Sequence, residues 1–198
     1  MRQVFGSVIV LLFLAMSAAV SAQTLETAPS NNGSGGVFLD LAPIGPALIV
    51  HAFDVPLAPE SGVLVDVEVW VRPGSYVGFT GDSTGWTLTQ TIQIESLGTD
   101  VRVPLVLTTP IDLPAGVITG IYLHAVFPQA TGNGLRYSGN STVPAQTTWA
   151  NADLTLFSDV ARTGFVPFGG SAFTPRTFSG VIHYLPTNDL IFRNGFDG

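Results

Sequence analysis

The sequence predicts an all-β fold, an antiparallel two-sheet sandwich of jelly-roll type with eight or nine strands. Three observations carry that prediction. The stretch "GVLVDVEVWVRPG" alternates strictly: Val63, Val65, Val67, Val69 and Val71 share one face, and Leu64, Asp66, Glu68, Trp70 and Arg72 share the other. Period two over that length is a half-buried strand with its valine face inward. Short runs rich in β-branched and aromatic residues then recur along the chain, nearly all bounded by Pro, Gly, Asn or Asp. Beyond residue 22, no stretch carries a convincing helical stripe of ten or more residues.

The elements follow in chain order. Arg2, the apolar run Val4 to Ala15 and the small residues up to Val20-Ser21-Ala22 read as a secretory signal peptide, residues 1–22, cleaved after Ala22. The apolar run is short for a spanning helix, which needs about 20 residues, so no membrane span is expected after cleavage. Residues 23–36, "QTLETAPSNNGSGG", have little apolar content and read as a flexible leader. The sandwich domain is expected over 37–185, with strand material at 47–55, 63–72, 86–97, 101–113, 116–127, 152–159 and 178–185. Pro73-Gly74 ends the alternating strand, because Pro presets the first central turn position and Gly accepts positive φ at the second. Residues 186–198 form a C-terminal tail, in which Ile191, Phe192 and Phe196 either dock an edge segment or belong to a sorting signal.

Composition excludes several classes of function. There is no Cys, which removes disulfides, thiol nucleophiles and Cys-based metal sites together. All basic residues are Arg; after cleavage six face fourteen Asp and Glu, a net charge near −8. With no basic stripe, nucleic acid is not an expected partner. Charged residues make up only 11% of the chain, so Thr, Ser, Asn and Gln must solvate much of the surface. Such a surface suits contact with a glycan or a surface protein.

Candidate chemistry thins out on inspection. "Gly81-Asp82-Ser83-Thr84-Gly85" fits the G-x-S-x-G elbow, but strand material follows it where the elbow requires a helix. Asp159 and His183 follow Ser83 in triad order, a match that any chain with three histidines offers, so no catalytic residue is assigned. His51, His124 and His183 lie far apart in sequence with no i, i+2 or i, i+4 pair, and no metal site is expected from them. Asp66 and Glu68 stand about 7 Å apart on one outward strand face, the ordinary pattern of a solvated sheet. No cofactor is expected. A structural calcium is left open by the oxygen-rich stretches "NNGSGG", "TGDSTG" and "ATGNGLRYSGN", although none has the dense Asp spacing of a calcium loop. Asn32-Gly33-Ser34 and Asn140-Ser141-Thr142 match the glycosylation acceptor pattern without further support.

The rings of "VWVRPGSYVGFTGDSTGWTL" (69–88) are the candidate binding residues: Trp70, Tyr76, Phe79 and Trp86. Two readings stay open at this stage. Rings held by a rigid turn stack on sugars, or the 74–85 loop folds back and the rings cap the open end of the sandwich. Phe165, Phe168, Phe173 and Phe178 read as plugs under the Pro167-Gly169-Gly170 turn, and Arg176 as a partner for Asp153 or Asp159.

"RPGSYVGF" (72–79), "GWTLTQT" (85–91), "NADLTL" (151–156), "VPFGGSAFTPRTFSGVIHY" (166–184) and "GSGGVFLDL" (33–41) form an ordered set. It resembles an uncharacterised exported bacterial all-β domain, and the ending "DLIFRNGFD" resembles short tails of exported proteins of some Gram-negative bacteria. The resemblance implies a non-enzymatic module at or beyond the cell surface, with the periplasm as the other location. It transfers no ligand or catalytic residue. His51 and His124 depart from it, standing where small polar residues are expected. The expected function is surface-associated binding or adhesion, with a carbohydrate-binding module as the alternative and a weak hydrolase built on β strands as the second alternative.

Overall fold

The structure is a computed structural model and describes residues 22–33, 35–126, 134–139 and 146–187. The signal peptide up to residue 21, Ser34, the acceptor triplet at 140–142 and the tail from 188 onward lie outside the described residues.

Strands dominate, as the alternating pattern requires. They are β1 (Gln23–Glu26), β2 (Asn32–Gly33), β3 (Gly36–Pro43), β4 (Leu48–Pro56), β5 (Leu64–Pro73), β6 (Thr87–Glu95), β7 (Arg102–Leu113) and β8 (Thr119–Val126). The chain continues with β9 (Arg136–Ser138), β10 (Thr148–Ala150), β11 (Leu154–Phe157), β12 (Ala161–Arg162), β13 (Ala172–Phe173), β14 (Thr177–Phe178) and β15 (Val181–Pro186). Among the described residues, nine of them have four or more residues, and all named strand pairs are antiparallel.

One layer is the sheet β1-β15-β4-β7; the other runs β10-β11-β3-β8-β5-β6, with β12 paired to β3 and β13 to β12. A small sheet, β14-β9-β2, stands beside them. The chain crosses between the layers around β5 and β6: these two pair in one sheet, and β7 returns beside β4 in the other. The main core fills the space between, with Val50, Phe53, Leu105 and Leu113 from one sheet meeting Leu39, Val67, Val69 and Leu123 from the other. Val65, Val67 and Val69 are buried, so the valine face of β5 points inward as the alternation predicts.

Residues 23–33 correct the sequence reading. The stretch read as a flexible leader supplies β1, paired with β15, and β2, paired with β9. Leu25 enters the main core. The polar residues that lowered its apolar content are bonding partners. Thr27 donates its N–H to the Gly180 carbonyl (3.0 Å), and its hydroxyl accepts from the Gly180 N–H (2.9 Å). Asn31 accepts the Gly139 N–H at 2.9 Å.

The edge where the sheets approach is stitched by one side chain. Between Val106 and Ile111, β7 bulges away from β4. Gln90 on β6 accepts there from the Thr108 N–H (2.8 Å) and hydroxyl (2.9 Å), and donates to the Thr109 carbonyl (2.7 Å). The bulge thereby keeps its backbone groups bonded where the ladder is interrupted.

Candidate functional site

Period two dictates what stands on the far side of the valine sheet. In β3, Val37, Leu39 and Leu41 face the main core, so Phe38 and Asp40 face outward. In β8, Ile121, Leu123 and Ala125 face inward, which sends Tyr122 and His124 outward. The strand register aligns these outward residues with those of β5 in three rows. Asp40 pairs with Gly120 and Gly120 with Arg72; Phe38 pairs with Tyr122 and Tyr122 with Trp70; Gly36 pairs with His124 and His124 with Glu68.

Much of that face is covered. The segment 74–86 and the turn 163–170 fold over it, and Phe38, Tyr76, Trp86, Tyr122 and Phe168 form a second apolar core there. Phe38 stacks on Tyr122 with centroids 4.0 Å apart, and Phe168 reaches Tyr122 at 4.9 Å and Trp70 at 5.2 Å. Aromatic pairs at such separations add stabilisation beyond area burial. The rings therefore cover the outer face of the larger sheet and not the open end of the sandwich. Gly120 makes the approach feasible: a Cβ there would stand 2.8 Å from Arg72 Cγ and 2.9 Å from the Gly74 carbonyl oxygen.

The fate of the four candidate rings follows. Tyr76 is 0% exposed; its hydroxyl donates to Asp159 Oδ1 at 2.6 Å and accepts from the Asp159 N–H at 2.9 Å. Burial, followed by the Asp159 bond, pushes its phenol far above the usual range, so it remains a donor at any working pH. Trp86 is 8% exposed and its indole N–H donates to the Phe79 carbonyl at 2.7 Å. Phe79 is 44% exposed, but one face lies 3.4 Å from the guanidinium carbon of buried Arg72. Tyr76 and Trp86 are thus corrected from binding platform to buried pillars, and Phe79 to the cover of a cation. Of the four, Trp70, half-buried, is the one that lines a cleft.

The polar groups beneath the loops are paired with them. Asp40, nearly buried, accepts from the Ser75 hydroxyl at 2.5 Å and the Tyr76 N–H at 2.8 Å, which fixes the start of the loop. Burial raises its pKa above the usual value, against those two bonds and the charge of Arg72. Arg162 fastens both loops at once. Its guanidinium donates to the Thr80 carbonyl (2.8 Å) and to the carbonyls of Gly169 (3.1 Å) and Gly170 (2.9 Å). Gly164 closes the second loop on itself, since a Cβ there would come within 2.3 Å of the Gly169 carbonyl carbon.

Between the fastened loops lies a shallow cleft of about 340 Å³, lined by Trp70, Gly81, Asp82, Ser83, Pro167, Phe168 and Gly169. Trp70 is held from two sides: its indole N–H donates to Glu68 Oε2 at 2.9 Å, and Phe168 meets it edge to face at 80°. Asp82 accepts the Thr84 N–H at 2.8 Å, and Thr84 holds its carboxyl below the usual value. The "GDSTG" stretch is therefore one wall of this cleft. The other two triad candidates are engaged elsewhere, Asp159 with Tyr76 and His183 with Asp54 at 2.9 Å on the other sheet.

His124, paired with Glu68 on the same sheet face, is 0% exposed. Its Nε2 lies 3.0 Å from the Gly164 carbonyl, which can only accept, so Nε2 carries the proton. Its Nδ1 stands 3.5 Å from Glu68 Oε2. Burial lowers the imidazole pKa from 6.5, with Gly164 and Glu68 pulling the other way. His51, which the structure brings within 6.1 Å of His183, is likewise lowered by burial and by that neighbour. Because both folded-state values lie below 6.5, the unfolded chain binds more protons as pH falls. Stability is expected to be complete above pH 6.5 and to drop as pH falls through the folded-state values. Urea midpoints measured at about pH 7.5 and 5 check this; His124→Gln should flatten the slope, and an unchanged slope contradicts it.

Other expectations resolve less simply. Phe168 and Phe178 are buried plugs, whereas Phe165 and Phe173 are exposed. Arg176 donates to its neighbour, the Pro175 carbonyl, at 2.8 Å; among the described residues its Nε has no partner and it forms no ion pair with Asp153 or Asp159. Asp66 accepts from Gln93 and Glu68 from Trp70, so the two acids serve different neighbours. Among the described residues, no group of three His, Asp or Glu side chains is placed to hold a metal. No helix among them is long and apolar enough to cross a membrane. A scan against protein-family models finds no matching family, and a search of curated proteins finds no similar sequence.

Proposed function

We propose that the protein is an exported, non-catalytic β-sandwich module that works in surface-associated binding or adhesion. The observation that carries the reading is the cleft beside Trp70, whose two walls are separate loops fastened by one arginine over a buried aromatic layer. Rigid loops on a packed scaffold are how a binding site keeps its shape without a ligand. The signal-like N-terminus and the resemblance to an exported domain support a location outside the cytoplasm.

The test is co-sedimentation of the secreted protein with washed envelopes of the producing cells. Gly81 lines the cleft, its φ lies outside the left-handed region, and a Cβ there meets nothing within 4 Å, so Gly81→Leu fills the cleft without strain. Wild type should pellet with the envelopes and Gly81→Leu should stay in the supernatant. Equal pelleting of the two, or no pelleting of wild type, refutes the reading.

A further inference from the structure

We infer that the cleft holds a neutral pyranose of a glycan, one sugar face against Trp70 and its hydroxyls on Asp82 and Ser83. The inference rests on the binding role proposed above and names the class of ligand.

Size sets the first limit. A volume of about 340 Å³ falls at the small end of ligand clefts, which run from roughly 300 to 1,000 Å³. A sugar unit or two fits that volume. Charge sets the second. Among the described residues no Arg or His lines the cleft, the chain has no Lys, and Asp82 is exposed there. A phosphate, sulfate or uronate would meet a carboxylate with no counter-charge.

The chemistry of the walls sets the third. Trp70 offers an indole fixed before the ligand arrives, since Glu68 holds its N–H and Phe168 packs against it at 80°. An immobile indole matches the axial C–H face of a pyranose and gives up little entropy on contact. A carboxylate accepts from two neighbouring hydroxyls at once, and a serine hydroxyl both donates and accepts, which a polyol satisfies and a hydrocarbon does not. A quaternary ammonium is the competing class, because it too favours an indole beside a carboxylate. It is best held by several ring faces around one point. Here, among the described residues, the lining has two rings, and Phe168 is only 6% exposed, which leaves Trp70 as the accessible one.

The experiment follows the Trp70 indole N–H by nuclear magnetic resonance on the full secreted protein. Cello-, xylo-, malto- and chitohexaose are the neutral probes, and choline is the cationic one. At least one hexaose should shift the Trp70 signal with a Kd of about 1 mM or tighter. Gly81→Leu should weaken binding by about ten-fold or more and Asp82→Asn by several-fold; Trp70→Ala, followed on the Gly81 backbone amide of the same cleft, should also lose about ten-fold or more. Gly81→Leu keeps the test decisive if Trp70→Ala fails to fold. A response to choline and to no hexaose overturns the sugar inference while leaving the cleft as a binding site. Hexaose binding that survives Gly81→Leu, or a Trp70 signal that responds to no probe, also overturns it; envelope sedimentation decides the parent reading separately.

Discussion

Tyr76→Ala is expected to destabilise the protein by about 4 kcal/mol, the cost of emptying a fully enclosed aromatic site. The ring touches both halves of the outer layer. It lies 5.7 Å from Phe38 on the sheet and stacks at 5.9 Å on Phe157, while its hydroxyl closes a two-way bond with Asp159. Tyr76→Phe keeps the packing and removes only that bond. Asp159 is half-buried, so water partly replaces the lost partner and the cost should be nearer 1 kcal/mol. Urea unfolding of the two variants separates packing from hydrogen bonding. A loss below about 1 kcal/mol for Tyr76→Ala would mean that the 74–86 segment is not packed on the sheet.

Arg162→Ala is expected to act differently, because its guanidinium holds loops to each other and not to the core. Removing it strips donors from the carbonyls of Thr80, Gly169 and Gly170. Hydrogen bonds to charged donors contribute about 1.5–3 kcal/mol when buried; with Arg162 half-exposed, a total loss of about 2 kcal/mol is the expected scale. The functional loss should exceed the stability loss, since the cleft exists only while both walls stay in place. Envelope binding should fall at least as far as in Gly81→Leu, with amide exchange rising at 163–170 and unchanged in β4 and β7. Arg162→Lys should not rescue it, because one ammonium cannot span three carbonyls in a fork. Full binding by Arg162→Ala would remove the loops' attachment from the explanation.

The strands were legible because their alternation is local. Val63 to Val71 announce their face without reference to any other part of the chain, and seven of the longer strands fall where short β-branched runs lie between turn residues. The edge strand β1 was not legible, because a single apolar residue, Leu25, anchors it and its remaining bonds come from Thr27 and distant partners. The candidate site was legible in composition and not in geometry. The aromatic stretch 69–88 does contain the cleft's indole and one of its walls, but alternation says only that Trp70 points away from the valines. It does not say what covers that face. The available signal was the other outward rings: Phe38 and Tyr122 stand on strands whose inner faces are already apolar, so a second apolar layer had to be buried somewhere. Arg162 carried no signal at all, since its role depends on two loops that meet only in the folded chain.

The most direct measurement is hydrogen–deuterium exchange at the indole N–H of Trp86. That proton is buried in the outer layer and bonded to the Phe79 carbonyl at 2.7 Å. If the 74–86 segment is a fixed cover that shapes the cleft, the proton exchanges slowly, with an opening free energy approaching that of global unfolding, and Arg162→Ala accelerates it. Exchange at the rate of a free indole would mean that the cover lifts continually, and neither the layer nor the cleft built on it would survive as described.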